Sequence, residues 1–508
     1  MNNRTKHIIV IGGGITGLSA AYTLLHTKKK ESIKVTIIER EHRLGGKINT
    51  ANVTGNVIER GPDSFLAHKD AMIHLCEKLG LADRFAGTGP TANKAFLVSN
   101  QALTPFPRDT FMGIPYHKEA IEATNVLSEQ GKSRALEDFF TPNEAPEGDE
   151  SLGHFLSRRL GTEMMERLAE PILAGIYAGH AAQLSLLATY PEFRDLERKY
   201  GSFLQGLQTL MTSSKRTAKT SIDADLSSNA RSTSVFLTIQ NGLQTIVKAL
   251  AEAIGKDNIH LGTRVRQIVT PEDTELSATR IHPYTIYLSD NSSVEADAIL
   301  LATPAFAAAQ ILQDHDLQME LAGIPYTSVA TVTLLFSSDQ LDVKQYEGSG
   351  FIVPSTEPYT ITACTFVSAK WPQNIHHGTV VLRCFIGRAG QDKIVLANDD
   401  EIIARVREDL KSLLHIEAKP GRVLIKRWPH AMPQYQVGHL DRVARIRQLL
   451  ALRFPGIFVA GAGYEGVGLP DCINQGEQAA TQILDYLQTH PHSMGTGSSI
   501  TWCNIYSE

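Results

Sequence analysis

Residues 7–11 (HIIVI) form an unbroken apolar run that ends in glycines, the pattern of a strand buried on both faces of a parallel sheet. The next segment, 15–26, repeats apolar side chains at Ile15, Leu18, Ala21, Leu24 and Leu25, which predicts a helix packed on that strand. After a charged turn (KKKES), a second β-rich run from Val35 to Ile38 ends at Glu39. The chain therefore opens with a βαβ unit. Two later runs, Ala298 to Ala302 and Ile457 to Ala460, end in small residues and turns and are expected to join the same sheet.

The long stretches between these runs have patterns of their own. Residues 119–210 read as mainly helical, with SLGHFLSRRLG and TEMMERLAEPILAGIY as amphipathic segments. Residues 212–234 are Ser/Thr-rich with few apolar anchors, which predicts a mobile loop. Residues 328–386 alternate apolar and polar (SVATVTLLF, YTITACTF, TVVLRCFI) and predict a separate β-sheet, with a helix beside it at 401–414. The Gly- and Ser-containing tail, 491–508, predicts disorder.

Composition narrows the function classes. The 508 residues hold 49 Lys plus Arg against 54 Asp plus Glu, a formal charge of −5, which argues against a general nucleic-acid binder. A local basic pocket for an acidic ligand stays compatible with that balance. The five cysteines, at 76, 364, 384, 472 and 503, form no CxxC and are odd in number, so neither a disulfide framework nor a metal site is expected. The adjacent His376 and His377 read as part of a solvated loop. The N-terminal apolar run is too short for a signal peptide, and Ala298 to Leu312 is broken by Thr303, Pro304 and Gln310. The expectation is an intracellular, soluble, cytoplasmic protein, with peripheral membrane contact left open.

The first chemical signal is IGGGITG. Gly12 permits a tight turn, Gly14 lets backbone approach a pyrophosphate, and Gly17 allows close helix–strand packing. The helix that follows turns its N–H groups and positive dipole end to the phosphates. Glu39, at the end of the next strand, is placed for ribose hydroxyls. Nicotinamide dinucleotides and FAD would both use this unit.

Arg43-Leu44-Gly45-Gly46-Lys47 separates them, because here the chain resembles the flavin amine-oxidase/protoporphyrinogen-oxidase superfamily. The resemblance implies FAD as cofactor and assigns Gly12, Gly13, Gly14, Thr16, Gly17, Glu39, Arg40, Arg43, Gly45, Gly46 and Lys47 to its binding. Lys47 stands where many members carry Arg, which keeps the charge and loses the planar fork. The segment GIFVAGAGYEGVGLPDCINQGEQAA (456–480) resembles the family's closing element along the isoalloxazine ring, with a helix starting near Pro470. It contributes Tyr464, Gly466, Val467 and Gly468; Tyr464 either stacks near the flavin or is a buried tyrosine with a satisfied hydroxyl. Val265 matches the middle element, where backbone meets adenine, and the run before Thr303 matches the strand beneath the cofactor. Cys472 reads as a buried, unreactive thiol.

Further stretches resemble the protoporphyrinogen-oxidase members and their soluble Gram-positive bacterial branch. They are Trp428 through Tyr435 to His439, Glu170 through Gly179, Gly61-Pro62-Asp63-Ser64-Phe65, and Ile361 to Thr365. Gly61, Pro62, Asp63, Ser64 and Trp428 are thereby implied at the cofactor, and Gln434 and Tyr435 as supports. Lys69, Gly175, Ile176 and Tyr177 are implied at the substrate, although Ile176 also fits plain core packing and Lys69 an exposed helix start. No side chain stands out as an obligatory catalytic base; the hydride goes to flavin N5.

The implied fold is α/β: a Rossmann-like FAD-binding domain of the glutathione-reductase or amine-oxidase type, interleaved with a β-sheet substrate domain and a helical domain. The expected boundaries give the FAD domain 1–95, 235–310 and 426–490 and the helical, substrate or membrane-facing domain 96–215. A loop at 216–234, a β-sheet substrate domain at 311–425 and a tail at 491–508 complete the division. The branch implies oxygen-dependent oxidation of coproporphyrinogen III to coproporphyrin III with peroxide release in haem biosynthesis, or of protoporphyrinogen IX as the alternative. It also implies peripheral membrane docking through 119–210 and hand-off to a ferrochelatase. Two other classes compete: a flavin oxidase of amines or polyenes, and a non-catalytic binding protein on this fold.

Overall fold

The computed structural model describes residues 4–27, 32–141, 145–220, 234–270 and 284–490. The opening unit forms as its pattern dictates. Strand Lys6–Ile11 runs parallel to Ile33–Ile38, with Ile8 opposite Val35 and Ile11 opposite Ile38, and helix Ile15–His26 crosses between them. The completed sheet has five parallel strands in the order Ile259–His260, Ile33–Ile38, Lys6–Ile11, Ala298–Leu301 and Ile457–Val459. Segments hundreds of residues apart thus lie side by side, because Ile8, Ile9, Val10, Ile299 and Leu300 are apolar on both faces and each needs cover on both. Helix Leu469–Thr489 lies against Ile15–His26, and Gly476 lets the backbones meet, since a Cβ there would collide with the Thr16 carbonyl. The carboxyl ends of the strands and the N-termini of both helices share one edge, where open α/β sheets bind ligands.

A second, seven-stranded sheet has the order Arg422–Pro433, Tyr326–Ser337, Thr379–Ile386, Ile361–Phe366, Gly350–Ile352, Ala95–Ser99 and Ala102–Pro105. Helix Asp399–Leu414 covers one face with Ile402, Val406, Leu410 and Leu413. It starts where it does because Asn398 caps it, accepting from Glu401 N at 2.8 Å, with three acids in the first turn. Residues 96–105 and 426–433 lie in strands of this sheet, although the expected boundaries put them with the helical and cofactor segments. Both lie at or beside a sheet edge, where short or polar strands carry little periodic signal.

The helical part spans Lys118–Ala123, Glu129–Leu136, Leu152–Leu160, Thr162–Met164, a π-turn at Met165–Ala169, Glu170–Tyr177, Pro191–Tyr200 and Phe203–Thr220. Phe155, Leu168, Phe193 and Phe203 pack at its centre around a buried ion network. In that network Arg159 Nε donates to Asp138 at 2.5 Å, Arg158 meets Glu197 at 2.6 Å and Arg194 meets Glu150 at 2.7 Å. The last helix runs to Thr220, past the expected start of the loop. Residues 221–233, the tail 491–508 and Cys503 lie outside the described residues. Among the described residues no helix is long and apolar enough to cross a membrane.

Candidate cofactor and substrate site

The glycine turn after the first strand is shaped by two kinds of constraint. Gly12 has φ +113°, and a Cβ there would come within 2.6 Å of the Ala302 carbonyl oxygen. A Cβ on Gly14 would meet nothing within 4 Å, so that position faces open space. The second glycine pair folds onto the first: Gly45 N donates to Gly13 O at 2.8 Å, and Gly46 packs on Gly14. Two all-glycine turns thus leave bare backbone N–H groups at a helix N-terminus.

The charged residues around this cradle have distinct tasks. Glu39 accepts from Gly13 N at 2.7 Å and Glu41 N at 2.8 Å, one bond per carboxylate oxygen, which leaves lone pairs for a hydroxyl donor. Thr263 N donates to Glu39 O at 3.0 Å and so brings the middle element, with Val265 buried, to the ribose acid. Arg43 donates to the carbonyls of Gly46 at 2.6 Å, Ile48 at 3.1 Å and Leu44 at 3.3 Å; its guanidinium folds the turn. Arg40 points to solvent beside Glu41.

Lys47 makes no ion pair or hydrogen bond among the described residues, and burial pushes its ammonium pKa down. The group beside it is the Cys472 thiol, itself raised by burial and hydrogen-bonded to Thr16. Thr16 and Cys472 lie in the first turns of the two packed helices. The ammonium therefore sits near two positive helix ends with no protein anion, a setting that fits the diphosphate of a dinucleotide. Thr303 Oγ1, buried with no partner, is a further polar atom turned to this edge.

Residues 59–64 are held from the seven-stranded sheet. Trp428 Nε1 donates to Arg60 O at 2.8 Å, Thr331 Oγ1 to the same oxygen at 3.0 Å, and Arg383 Nη1 to Glu59 O at 2.9 Å. Gly61 packs directly on the Lys47 carbonyl, where a Cβ would collide. Asp63 meets Arg383 at 2.8 Å, Trp371 Nε1 at 3.1 Å, Lys370 at 3.4 Å and Ser64 Oγ at 2.8 Å. Burial alone would raise its pKa, but Lys370 and Arg383 outweigh that and hold it well below the usual carboxylate range. Asp63 and Ser64 thus turn their side chains into the protein. Glu59 behaves oppositely: burial pushes its carboxyl up to about 7, against bonds from Leu243 N at 2.6 Å and Thr50 Oγ1 at 2.9 Å.

Across the edge, helix Glu170–Tyr177 ends at Ala178, which is left-handed with φ +51°. Gly175 has open space before it, and Ile176 is 37% exposed, whereas Tyr177 is buried against Tyr190 and Tyr435. Gln434 Nε2 donates to Tyr177 O at 2.8 Å and Tyr435 Oη to Ala462 O at 2.6 Å, so these two residues tie the helix to the closing segment. Val467, in the Gly466–Gly468 loop, packs on the same cluster. Lys69 reaches this junction and pairs with Asp471 at 2.6 Å. Tyr464 is fully buried in the core beneath, and its hydroxyl has no hydrogen-bond partner among the described residues.

Sequence reasoning did not single out Arg383, Lys370, Trp371, Glu59 or Asp471. The available signal for Arg383 was its charge inside the otherwise apolar run TVVLRCFI. Among the described residues no group of three or more His, Cys, Asp or Glu side chains is set to hold a metal.

Comparison with known proteins places this architecture. The family described as flavin containing amine oxidoreductase matches residues 15–484. The chain is similar to the coproporphyrinogen III oxidase of Bacillus subtilis (strain 168), 36% identical over 489 residues that cover 96% of this chain and 100% of that protein. It is also similar to the coproporphyrinogen III oxidase of Staphylococcus aureus, at 32% identity over 94% of this chain and 99% of that protein. A crystal structure provisionally assigned as a protoporphyrinogen oxidase from Exiguobacterium sp. 255-15 has a TM-score of 0.82, 34% identity, and covers 96% of this chain and 99% of its own. The chain belongs to the flavin containing amine oxidoreductase family, alongside the bacterial coproporphyrinogen III oxidases.

Proposed function

We propose that this chain catalyses the FAD- and oxygen-dependent six-electron oxidation of coproporphyrinogen III to coproporphyrin III, releasing hydrogen peroxide. The observation that carries the reading is the end-to-end match to the Bacillus subtilis coproporphyrinogen III oxidase, in a chain whose flavin cradle opens beside Gly175 and Ile176. When bound, FAD supplies a two-electron acceptor that oxygen regenerates, so complete aromatisation takes three rounds.

The chain's own residues supply position and electrostatics. Gly12, Gly13, Gly14, Thr16, Gly17, Gly45, Gly46 and Lys47 would hold the diphosphate, Glu39 the ribose, and the Val265 backbone the adenine. Gly61, Pro62 and Trp428 would back the ring on one side, with Thr303 beneath it and Gly466, Val467 and Gly468 along the other. The N-terminus of helix Leu469–Thr489 would favour negative charge on the reduced ring. Asp63, Ser64 and Arg43 act one step removed, through the backbone that they brace. Gly175 and Ile176 form the apolar wall for the macrocycle, and Tyr177, buried behind them against Tyr190 and Tyr435, braces it. Lys69 would meet a carboxylate of the substrate only by sharing its bond to Asp471.

Protoporphyrinogen IX is the second substrate to test, favoured by the assignment given to the Exiguobacterium structure. Porphyrinogens are non-fluorescent and porphyrins fluoresce, so aerobic mixing of the FAD-loaded protein with each reports directly. Porphyrin forming faster than in the protein-free blank with coproporphyrinogen III supports the reading, and a rate equal to the blank overturns it. The reading places the reaction in the cytoplasm, with residues 119–210 docking on the inner membrane face and product passing to a ferrochelatase. Co-sedimentation with anionic vesicles tests the docking.

A further inference from the structure

Each round of porphyrinogen oxidation breaks a meso C–H bond and a pyrrole N–H bond. The proton of the second needs an acceptor, and the sequence reveals none. One carboxylate stands where the Gly466–Gly468 loop meets the Ile176 helix. Asp471 lies in the first turn of helix Leu469–Thr489, over Gly466 and Gly468; a Cβ on Gly468 would come within 2.8 Å of Asp471 Oδ2. Lys69 Nζ donates to Oδ1 at 2.6 Å, and Oδ2 accepts no hydrogen bond among the described residues. The side chain is 27% exposed.

The other titratable groups that face it are the Tyr177 and Tyr435 phenols and the Cys472 thiol, all pushed up by burial and so neutral near pH 7. Glu192 faces Lys69 from the far side, and burial raises its pKa. Asp471 is thus the carboxylate at the junction that keeps one oxygen open among the described residues, and Lys69 fixes its orientation through the other.

We propose that Asp471 accepts the pyrrole N–H proton of the porphyrinogen, with Lys69 as the positioning residue that orients the carboxylate. The inference rests on the function proposed above. As the meso C–H bond breaks, its electron pair passes to the cofactor and positive charge develops on the adjoining pyrrole nitrogen. The N–H bond then breaks, its electron pair stays on nitrogen as the lone pair of the neutral imine, and its proton passes to Oδ2 and on to solvent. An N–H of this iminium kind is acidic enough for a carboxylate, so a weak base suffices.

The test follows loss of flavin absorbance in the holoenzyme mixed anaerobically with coproporphyrinogen III. Asp471→Asn is expected to slow bleaching about 100-fold, with FAD content and melting temperature kept. Lys69→Met is expected to slow bleaching about tenfold with KM little changed, because the carboxylate loses the bond that orients it, and Lys69→Arg to restore most of the rate; a purely structural lysine would move neither. Wild-type bleaching in Asp471→Asn, or in Lys69→Met, overturns the proposal. Should Asp471→Asn lose FAD, the Lys69 pair decides alone. Failure of the wild type to bleach overturns the porphyrinogen reading itself and is thereby distinguished.

Discussion

Arg383 Nη2 lies 2.8 Å from Asp63 Oδ2, one of the buried contacts that join the seven-stranded sheet to residues 59–64. The same guanidinium donates to Glu59 O, so one side chain fixes both the loop's backbone and its carboxylate. Removing one member leaves the other charged and dry. Arg383→Met is expected to cost about 3 kcal/mol of stability and to weaken FAD binding as the loop loosens. Arg383→Met with Asp63→Asn should cost less than the two single changes added. Urea unfolding and FAD titration of the three variants measure both effects.

Glu59 gives the fold a pH dependence of opposite sign to the usual carboxylate. Its folded value, about 7, lies above its ordinary value of 4.5, so the folded state holds the proton across that window. Stability therefore falls as pH rises through the window and stays lower above it, by about 3 kcal/mol at most for this group. Glu59→Gln keeps an acceptor for Leu243 N and removes the titration. Its stability relative to wild type should rise between about pH 5 and pH 8, read by denaturant midpoints.

What was legible in the sequence was the part written in short-range pattern. The Gly12–Gly17 turn, Glu39 and the helix from Leu469 each carry their chemistry within a few residues, and the parallel sheet follows from fully apolar runs. The anchors were hidden because their partners are remote. Asp63 reads as a motif residue, yet its side chain answers to Arg383 and Trp371, more than three hundred positions away. Arg43 likewise reads as a cofactor-binding residue, while it donates to three carbonyls of its own turn. Asp471 meets Lys69 across 402 positions of chain, a contact that no local pattern marks.

The helical part depends on its buried ion network. Asp138 accepts from Arg159 Nε, Ser202 Oγ at 2.7 Å and Leu204 N at 2.8 Å, with no solvent to replace any of them. Asp138→Ala should destabilise by about 3–5 kcal/mol, because it removes the buried acceptor of Arg159 Nε, Ser202 Oγ and Leu204 N at once. Hydrogen exchange should quicken first in Leu152–Leu160 and Phe203–Thr220.

Ile176 separates contact from packing. Because it is partly exposed, Ile176→Ala should leave the melting temperature close to wild type. Loss of its apolar contact with the macrocycle should raise KM about tenfold, with FAD binding unchanged. Steady-state fluorescence assays beside thermal melts distinguish the two roles.

The most direct test of the central claim is a paired count in air: coproporphyrin formed, by fluorescence, against hydrogen peroxide released by the same FAD-loaded sample. The six-electron assignment predicts three peroxides for each coproporphyrin, at a rate well above the protein-free blank. A flavin-loaded protein that forms no porphyrin above the blank, or that releases peroxide without it, would contradict the assignment.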